Sequence, residues 1–337
     1  MKDWKHKLKA DPTGWLLEME NSPVRYWTLV DILDRPPGDV EVRAARAAIS
    51  TYPPVAELLA DQKRDGYWVK QDYYLPRAGR GAFWVLIVLG DLGLTAEDEH
   101  IQRACDFMFE QQRENGVFCR RRRISGQGIV WEKNGEPCTH ARIVRFLLQF
   151  GYAQDPRVRK AIDWLLPLQR DDGMWFCRGA KGRGCLRATI DVLRIAALDP
   201  RTAAQPGIAQ AASAVCGLLM EPRMSRYHVG DGWGTWESLK YPYFGFSVIS
   251  ALDALARLGC MLKEPKIAAA VDHLLSRQLP DGAWPLDEVW PSSPIDFGRP
   301  GEPNKWLTLD ALRVVKMFHS QHGVEGSDEV KNSRDRR

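Results

Sequence analysis

The sequence predicts an all-α protein in which alternating inner and outer helices form a ring around a central cavity. A turn of glutamine, polar residues, glycine and an aromatic recurs along the chain, with its glycine at Gly66, Gly116, Gly173 and Gly282. These turns lie about 50 residues apart, or about twice that between the last two, which indicates one structural unit used repeatedly. Between them, apolar residues recur at helical spacing, and no period-two pattern competes.

The turns read QKRDGYW, QRENGVF, QRDDGMW and QLPDGAW. Glycine can adopt the left-handed conformation that ends a helix, and the aromatic is expected to pack onto the interface between units. The glutamine can bond the free carbonyls and amides of neighbouring helix ends. The Gly232-Trp233 step stands where one more turn is due, although its glutamine is missing.

The predicted helices follow in chain order. They cover residues 24–33, 40–50, 55–62, 81–92, 99–113, 138–150, 156–169, 185–198, 208–220, 244–258, 266–278 and 305–319. Segments such as 81–92 and 138–150 are apolar around much of their circumference, as inner helices are, whereas 99–113 and 156–169 have one apolar stripe and one charged face. Prolines at the starts of outer helices and glycines at the ends of inner ones support these bounds.

Repeated pairs of inner and outer helices form either an open solenoid or a closed ring. Closure is favoured because six inner candidates are present and neither end shows a strongly polar capping repeat. The predicted ring covers residues 22–323 as a single domain. Residues 1–21 are expected to be an N-terminal extension, and residues 324–337 a disordered tail because they have almost no apolar content.

Composition narrows the function classes. Of 337 residues, 45% are hydrophobic and 27% charged, and a net charge of +4 is too small to suggest nucleic-acid binding. The N-terminus lacks the apolar region of a signal peptide, and no stretch approaches the roughly 18 apolar residues of a transmembrane span. We therefore predict a cytoplasmic protein with reduced cysteines, and the sequence leaves its oligomeric state open.

The Q-x-x-D-G-x-W turns between paired helices resemble the repeats of squalene-hopene cyclases and of protein prenyltransferase β subunits. The resemblance covers roughly residues 22–318 and implies an (α/α)6-type toroid with a hydrophobic central cavity. In overall character the chain is similar to short, single-domain bacterial proteins with prenyltransferase and squalene-oxidase repeats. The D-x-D-D tetrad of class II terpene cyclases and the Asp-x-Cys zinc motif of prenyltransferases are both missing from the sequence. The resemblance therefore does not supply a reaction.

Thiols form the most suggestive set of chemical groups. Cys119 and Cys177 follow two successive turns, Cys138 and Cys185 begin the inner helices after those turns, and His140 lies near Cys138. Equivalent positions of adjacent repeats lie side by side, so Cys138, Cys177, Cys185 and His140 are the favoured candidate ligands of a tetrahedral Zn²⁺. The alternative is that the cysteines are buried packing residues. Without a metal, Cys138, His140 and Cys185 could act as acid, base or nucleophile.

Asp191 is the strongest carboxylate candidate within an inner helix, since a charge among apolar neighbours must be paired or functional. Arg187 and Arg194, one turn away on either side, are its expected partners in a purely structural role, which we favour. Aromatic and basic residues in turns and at inner-helix starts are candidates for binding substrate at the cavity mouth. They are Tyr74, Arg77, Trp84, Trp131, His228, Trp233, Tyr243 and Trp306.

Together these features predict an enzyme that resembles terpene cyclases and prenyltransferases. Its substrate would be a hydrophobic small molecule, isoprenoid or polycyclic, held in the ring. The chemistry would be that of a lyase, isomerase or transferase, assisted by acid and base groups or by zinc and thiolate. The alternative is a non-catalytic ring that binds a lipid or a peptide and in which the cysteines are structural.

Overall fold

The structure is a computed structural model that describes residues 4–72, 79–124, 126, 128–131, 135–176, 184–221, 236–290 and 293–320. Its helices are α1 Thr13–Leu16, α2 Ser22–Trp27, α3 Val40–Ala47, α4 Pro53–Ala60, α5 Ala82–Leu92, α6 Glu99–Phe109, α7 Pro137–Gln149, α8 Pro156–Leu165, α9 Leu186–Leu198, α10 Pro200–Ala203, α11 Pro206–Leu218, α12 Val248–Arg257, α13 Pro265–Ser276 and α14 Lys305–Ser320. A π-helical segment, Thr28–Ile32, continues α2.

The inner helices α2, α5, α7, α9, α12 and α14 form a closed ring. Each packs against the next in chain order from α5 to α14, and α14 packs back against α2. The remaining junction joins α2 to α5: a side chain at Gly93 would meet the Trp27 indole at 3.0 Å. The predicted all-α toroid is therefore confirmed.

Burial explains why the sequence pattern distinguishes inner from outer helices. Ten of the eleven residues of α5 are buried, because this helix is surrounded by its neighbours. In α8, only Val158, Ala161, Ile162 and Leu165 are buried, and they form one stripe. An outer helix needs a single apolar face because solvent covers the other side.

The repeated turns join neighbouring outer helices in the same way each time. The side-chain amide of Gln112 donates to the carbonyl of Gly116 in its own turn at 2.9 Å and to that of Arg157 in the next outer helix at 2.8 Å. Gln62, Gln169 and Gln278 make the equivalent pairs of bonds. The predicted role of the glutamine is confirmed.

The turn tryptophans fix each turn to the helix before it. Trp68, Trp175 and Trp284 are buried, and each indole N–H donates to a carbonyl ten residues earlier, at 2.7, 2.8 and 2.7 Å. The four turn glycines all have positive φ, between 80° and 92°. The further turn expected at Gly232-Trp233 lies outside the described residues.

The N-terminal segment occupies the place of a sixth outer helix. The other turn glutamines each bond to the next outer helix. The side-chain amide of Gln278 instead donates to the carbonyl of Ala10 at 3.0 Å and accepts from the backbone N–H of Lys9 at 2.7 Å. Trp4 is buried, and its 3₁₀ turn packs against α14. Residues before 22, expected to be an extension outside the ring, thus complete its outer layer.

Short strands connect some of the helices. β1 Arg121–Ile124 pairs with β2 Gly128–Trp131 as an antiparallel hairpin, and β3 Lys240–Tyr241 pairs with β4 Glu288–Val289 in parallel. The second pair holds Tyr241 beside the N-terminal end of α14, where the central cavity begins. Within the described ranges, no helix is long and apolar enough to span a membrane.

Candidate functional site

A cavity of about 970 Å³ lies at the centre of the ring. All six inner helices contribute residues to its wall, and the cavity opens toward their C-terminal ends, beside Thr95, Gly151 and Leu198. The sequence predicts the mouth at the opposite rim, at the turns and the inner-helix starts, and this prediction is wrong. Its lining is also mixed, with aromatic and charged side chains, whereas the family resemblance implies a hydrophobic one.

Three aromatic side chains form the floor of the cavity. Tyr241 stacks on Trp306 with ring centroids 5.7 Å apart and an interplanar angle of 14°, and it meets Tyr243 edge-on at 5.2 Å. Phe297 supports both Tyr241 and Trp306 from behind. Tyr243 and Trp306, two of the predicted substrate-binding residues, line this cavity. Aromatic faces of this kind attract cations and apolar rings.

A belt of charged residues surrounds the cavity above this floor. It comprises Asp31, Asp91, Arg145, Arg194, Asp253, Arg257, Asp310 and Arg313. All but Asp31, which follows α2 in the π-helical segment, lie on inner helices, among largely apolar neighbours. Four carboxylates and four guanidinium groups balance in formal charge, but they are not evenly distributed.

One half of the belt, which we call the Asp91 cluster, has an excess of positive charge. Arg145 donates to Asp91 Oδ1 at 2.6 Å, Arg194 lies 3.7 Å from the same oxygen, and Gln149 donates to it at 3.1 Å. Burial alone would raise the pKa of Asp91, but the two guanidinium groups outweigh it and hold that pKa below its ordinary value. Asp91 is therefore a carboxylate at neutral pH.

The other half, the Asp310 cluster, has one arginine between two carboxylates. Arg313 bonds Asp31 and Asp310, each at 2.6 Å, and the Tyr243 hydroxyl donates to Asp310 at 2.9 Å. Burial raises the pKa of Asp310 above its ordinary value, and the nearby Asp253 adds to this effect, although Arg313 opposes it. Two carboxyl groups in one cavity thus have pKa values shifted in opposite directions, which is typical of sites that separate acid from base roles.

Asp191 does not reach the cavity. Its carboxylate accepts from Arg142 at 2.6 Å, and both side chains are almost fully buried. Arg142 also donates to the carbonyls of Phe244 and Gly245, just before α12. The ion pair is formed with Arg142 rather than with the expected Arg187 or Arg194, because helix packing brings an arginine of α7 closer than those one turn away on α9; Arg187 interacts with Asp191 only electrostatically, and Arg194 lies beside Asp91. The favoured structural role fits these contacts.

The thiols lie at the N-terminal ends of α7 and α9, away from the lining of the cavity. Arg187 donates to Cys138 Sγ at 3.1 Å, and its guanidinium lies close enough to interact electrostatically with Cys185 as well. A positive guanidinium in contact with the thiol opposes the binding of a second cation there. Cys177 lies outside the described residues.

His140 is engaged in the packing of the ring. Its Nδ1 accepts from the backbone amide of Phe118 at 3.3 Å, and its Nε2 lies 2.8 Å from the Ala161 carbonyl, to which it donates as a neutral ring. No nitrogen remains to bind a metal or to move a proton to a substrate. Within the described ranges, no three His, Cys, Asp or Glu side chains are placed to hold a metal ion. The described residues of the predicted set therefore do not fit zinc.

Acidification is expected to lower the free energy of unfolding through His140. Burial lowers the pKa of His140 to about 4, from 6.5. The unfolded chain therefore binds a proton that the folded protein does not, so stability is lost as pH falls from about 6.5 toward 4. The loss is on the order of 3 kcal/mol.

Urea unfolding of wild type and His140→Gln at neutral and acidic pH measures this loss of unfolding free energy. His140→Gln should show the weaker pH dependence. Equal pH dependence in the two proteins would contradict the assignment.

Two of the other predicted binding residues, Trp84 and Trp131, belong to the part of the chain that the structure describes. Trp84 packs edge-on against Phe244 at 4.9 Å, and Trp131 ends strand β2. Neither lies in the cavity lining. Tyr74, Arg77, His228 and Trp233 lie outside the described residues.

Sequence reasoning did not single out Asp31, Arg145, Asp253, Arg257 or Arg313. A signal was present, since these residues are charges inside or beside helices that are otherwise apolar, and such positions are rarely charged without a partner or a function. Asp91 and Asp310 carry the same signal, and from the sequence alone structural pairing is favoured for each of them. Charges on separate inner helices become a belt only when the helices close into a ring.

Comparison with known proteins identifies no family for the chain. No protein-family model matches it, and no curated protein does. Among solved structures it is similar to a protein from Actinoplanes, at 19% identity over 89% of this chain and 90% of that one, with a TM-score of 0.46. It is also similar to the type II terpene cyclase MstE from Scytonema, solved with geranylgeranyl dihydroxybenzoate, at 17% identity, coverage of 89% and 88%, and a TM-score of 0.46.

A third similar structure is ent-copalyl diphosphate synthase from Streptomyces platensis, at 16% identity over 89% of this chain and 50% of that one, with a TM-score of 0.42. At these identities and TM-scores the likeness does not extend to reaction or substrate. The toroid is established by the packing of the inner helices, and function has to be argued from the cavity itself.

Proposed function

We propose that this protein is an enzyme that performs acid-base chemistry on an isoprenoid or polycyclic substrate in the central cavity, with Asp310 as the acid. The observation that carries this proposal is a partly buried carboxyl group with a raised pKa on the wall of a cavity that has an aromatic floor. The repeated turns, which resemble those of terpene cyclases, agree with this substrate class.

Asp310 is the carboxyl group best placed for this role. Because its pKa is raised, Asp310 stays protonated up to a higher pH than an ordinary aspartic acid does. Asp91 cannot act in the same way, because Arg145 and Arg194 stabilise its ionised form. Protonated Asp310 would transfer its proton to an alkene carbon, where the alkene electron pair forms the new C–H bond.

The resulting charges have partners in the same cluster. The carboxylate left on Asp310 is stabilised by Arg313 and by the Tyr243 hydroxyl. The carbocation formed on the substrate would lie over Tyr241, Tyr243 and Trp306, whose faces favour positive charge. Loss of a proton from a neighbouring carbon would then give an isomerised or cyclised product and restore the acid.

The test is turnover of a panel of isoprenoid alcohols, acids and diphosphates by the purified protein, with products separated from substrates by chromatography and identified by mass spectrometry. Wild type is expected to give an isomer of at least one compound. Asp310→Asn, which cannot donate the proton, should lose about 100-fold or more in rate. Turnover should also fall as pH rises through the raised pKa of Asp310, because only the protonated form donates.

Asp163→Asn, the same change at an exposed position of outer helix α8, is the matched control and should retain the wild-type rate. Full activity in Asp310→Asn would refute the acid role. Tight binding of these compounds by wild type without any turnover would support the alternative, a toroid that binds a lipid without catalysis.

A further inference from the structure

The Asp91 cluster contains polar atoms that the protein itself leaves without partners. Arg145 Nε and Nη2, Asp91 Oδ2 and Gln149 Oε1 are all buried and make no hydrogen bond. The Arg145 side chain is 1% exposed and that of Asp91 10%. Buried polar atoms are nearly always hydrogen-bonded, since an unpaired one costs free energy. Four such atoms on three neighbouring cavity-lining residues therefore point to a missing partner.

The free donors of Arg145 have a specific geometry. Its Nη1 is engaged by Asp91, so Nε and Nη2 remain. These two nitrogens form one side of the planar guanidinium group, and their N–H bonds are parallel. A planar group with two oxygens, such as a carboxylate, can accept both bonds at once. A hydroxyl or an alkene cannot.

Charge indicates the same kind of ligand. The Asp91 cluster contains two arginines, Arg145 and Arg194, and a single carboxylate, which leaves one positive charge in excess. The next carboxylate on α9, Asp191, is already paired with Arg142. A monoanion would neutralise the excess, whereas a diphosphate would bring more negative charge than this buried cluster can balance.

The free acceptors complete the site. Asp91 Oδ2 and Gln149 Oε1 lie beside the guanidinium and can each accept a hydrogen bond from a donor on the ligand or from a water bound with it. Gly90 makes this arrangement possible: a side chain there would come within 2.9 Å of Gln149 Oε1. The site is thus built from α5, α7 and α9, on the wall shared by these helices.

We infer that the Asp91 cluster is a carboxylate-binding subsite, and that the ligand of the cavity is an amphipathic carboxylic acid. Its carboxylate binds the Nε and Nη2 edge of Arg145, and its apolar part extends over the aromatic floor toward Asp310. This inference rests on the proposed function for the isoprenoid nature of the apolar part, but it is tested by binding alone.

The experiment compares ligands that share one chain and differ in the head group. Farnesoic acid, farnesol and farnesyl diphosphate are titrated into the purified full-length protein by calorimetry. Wild type should bind the acid at least about tenfold more tightly than either of the others, since a charge-assisted, two-bond contact contributes that much or more. Equal affinity for acid and alcohol, or a preference for the diphosphate, would overturn the inference.

Variants then locate the subsite. Arg145→Met removes the two parallel N–H donors, while Arg194 and Gln149 stay beside Asp91. This variant should lose the preference for the acid, and its affinity for the alcohol should be unchanged. Arg145→Lys keeps the positive charge but not the pair of parallel donors, and it should retain only part of the preference for the acid. Arg257→Met, at another arginine of the belt, should retain all of it. An undiminished preference in Arg145→Met would refute the assignment, and the wild-type comparison remains decisive if that variant does not fold.

One variant separates this inference from the proposed function. Asp310→Asn should keep the acid preference even though its turnover is lost, because Asp310 belongs to the other cluster. A protein that binds the acid selectively but never converts it would leave the subsite standing and remove the catalytic proposal. Turnover without selective binding of the acid would refute the subsite and leave the catalytic proposal standing.

Discussion

Asp191→Ala is expected to destabilise the protein by about 3–5 kcal/mol, because it leaves Arg142 as an unpaired buried charge. The two side chains are 2.6 Å apart, with 3% and 4% of their surfaces exposed. Arg142 on α7 also donates to the carbonyls of Phe244 and Gly245. The pair therefore ties three successive parts of the inner ring together, and chemical denaturation monitored by circular dichroism measures its loss.

Two further variants distinguish the charge from the packing. Replacing both partners, with Arg142→Met and Asp191→Leu together, should cost less than Asp191→Ala alone, since no charge is left uncompensated. Asp163→Ala, at an exposed position of α8, should change stability by no more than about 0.5 kcal/mol. A cost for Asp191→Ala as small as that of Asp163→Ala would show that Arg142 finds another partner or reaches water.

Deletion of residues 1–14 is expected to open the outer layer of the ring and to cost on the order of 5 kcal/mol. The deletion removes the buried Trp4 ring that packs near α14, and two of the three partners of the Gln278 side chain, Lys9 and Ala10, leaving only Gly282. Gln278 is itself 2% exposed, so its amide would lose bonds in a place that solvent reaches poorly.

Deletion of residues 324–337 removes the same number of residues from the other end and is the matched control. The sequence predicts this segment to be a disordered tail, and its removal should leave the midpoint of thermal unfolding unchanged. A smaller deletion, residues 1–8, keeps Lys9 and Ala10 and should show an intermediate loss. Equal stability of all three deletions and the full chain would contradict the role of the N-terminal segment in ring closure.

Much of the fold could be predicted because each repeat makes the same local contacts. Glycine at positive φ, a glutamine between two helix ends and a buried indole recur with fixed spacing, so one turn predicts the others. The sequence does not show that the N-terminal segment is part of the ring, because this segment lacks the repeat signature. Its place is set by a bond between Ala10 and Gln278, which are far apart in the sequence.

Less of the candidate site could be predicted. Tyr243 and Trp306, aromatic residues near inner-helix starts, are predicted to bind substrate, and they line the cavity floor. Cys138, Cys185 and His140 are predicted as site residues from their positions in the repeats. Those positions give no information on what each side chain contacts. In the structure Arg187 contacts Cys138, and Phe118 and Ala161 use both nitrogens of His140.

The sequence by itself determined that this protein is a ring of paired helices, since a repeated turn and a helical apolar period are local properties of the chain. Only the tertiary structure decided which charges meet. Asp91, Arg145 and Arg194 lie about 50 residues apart in the sequence and share one wall because adjacent inner helices run in parallel. Whether a buried charge is paired with a neighbour or left with a free edge for a ligand depends on distances of a few ångströms between helices, and those distances are fixed by packing.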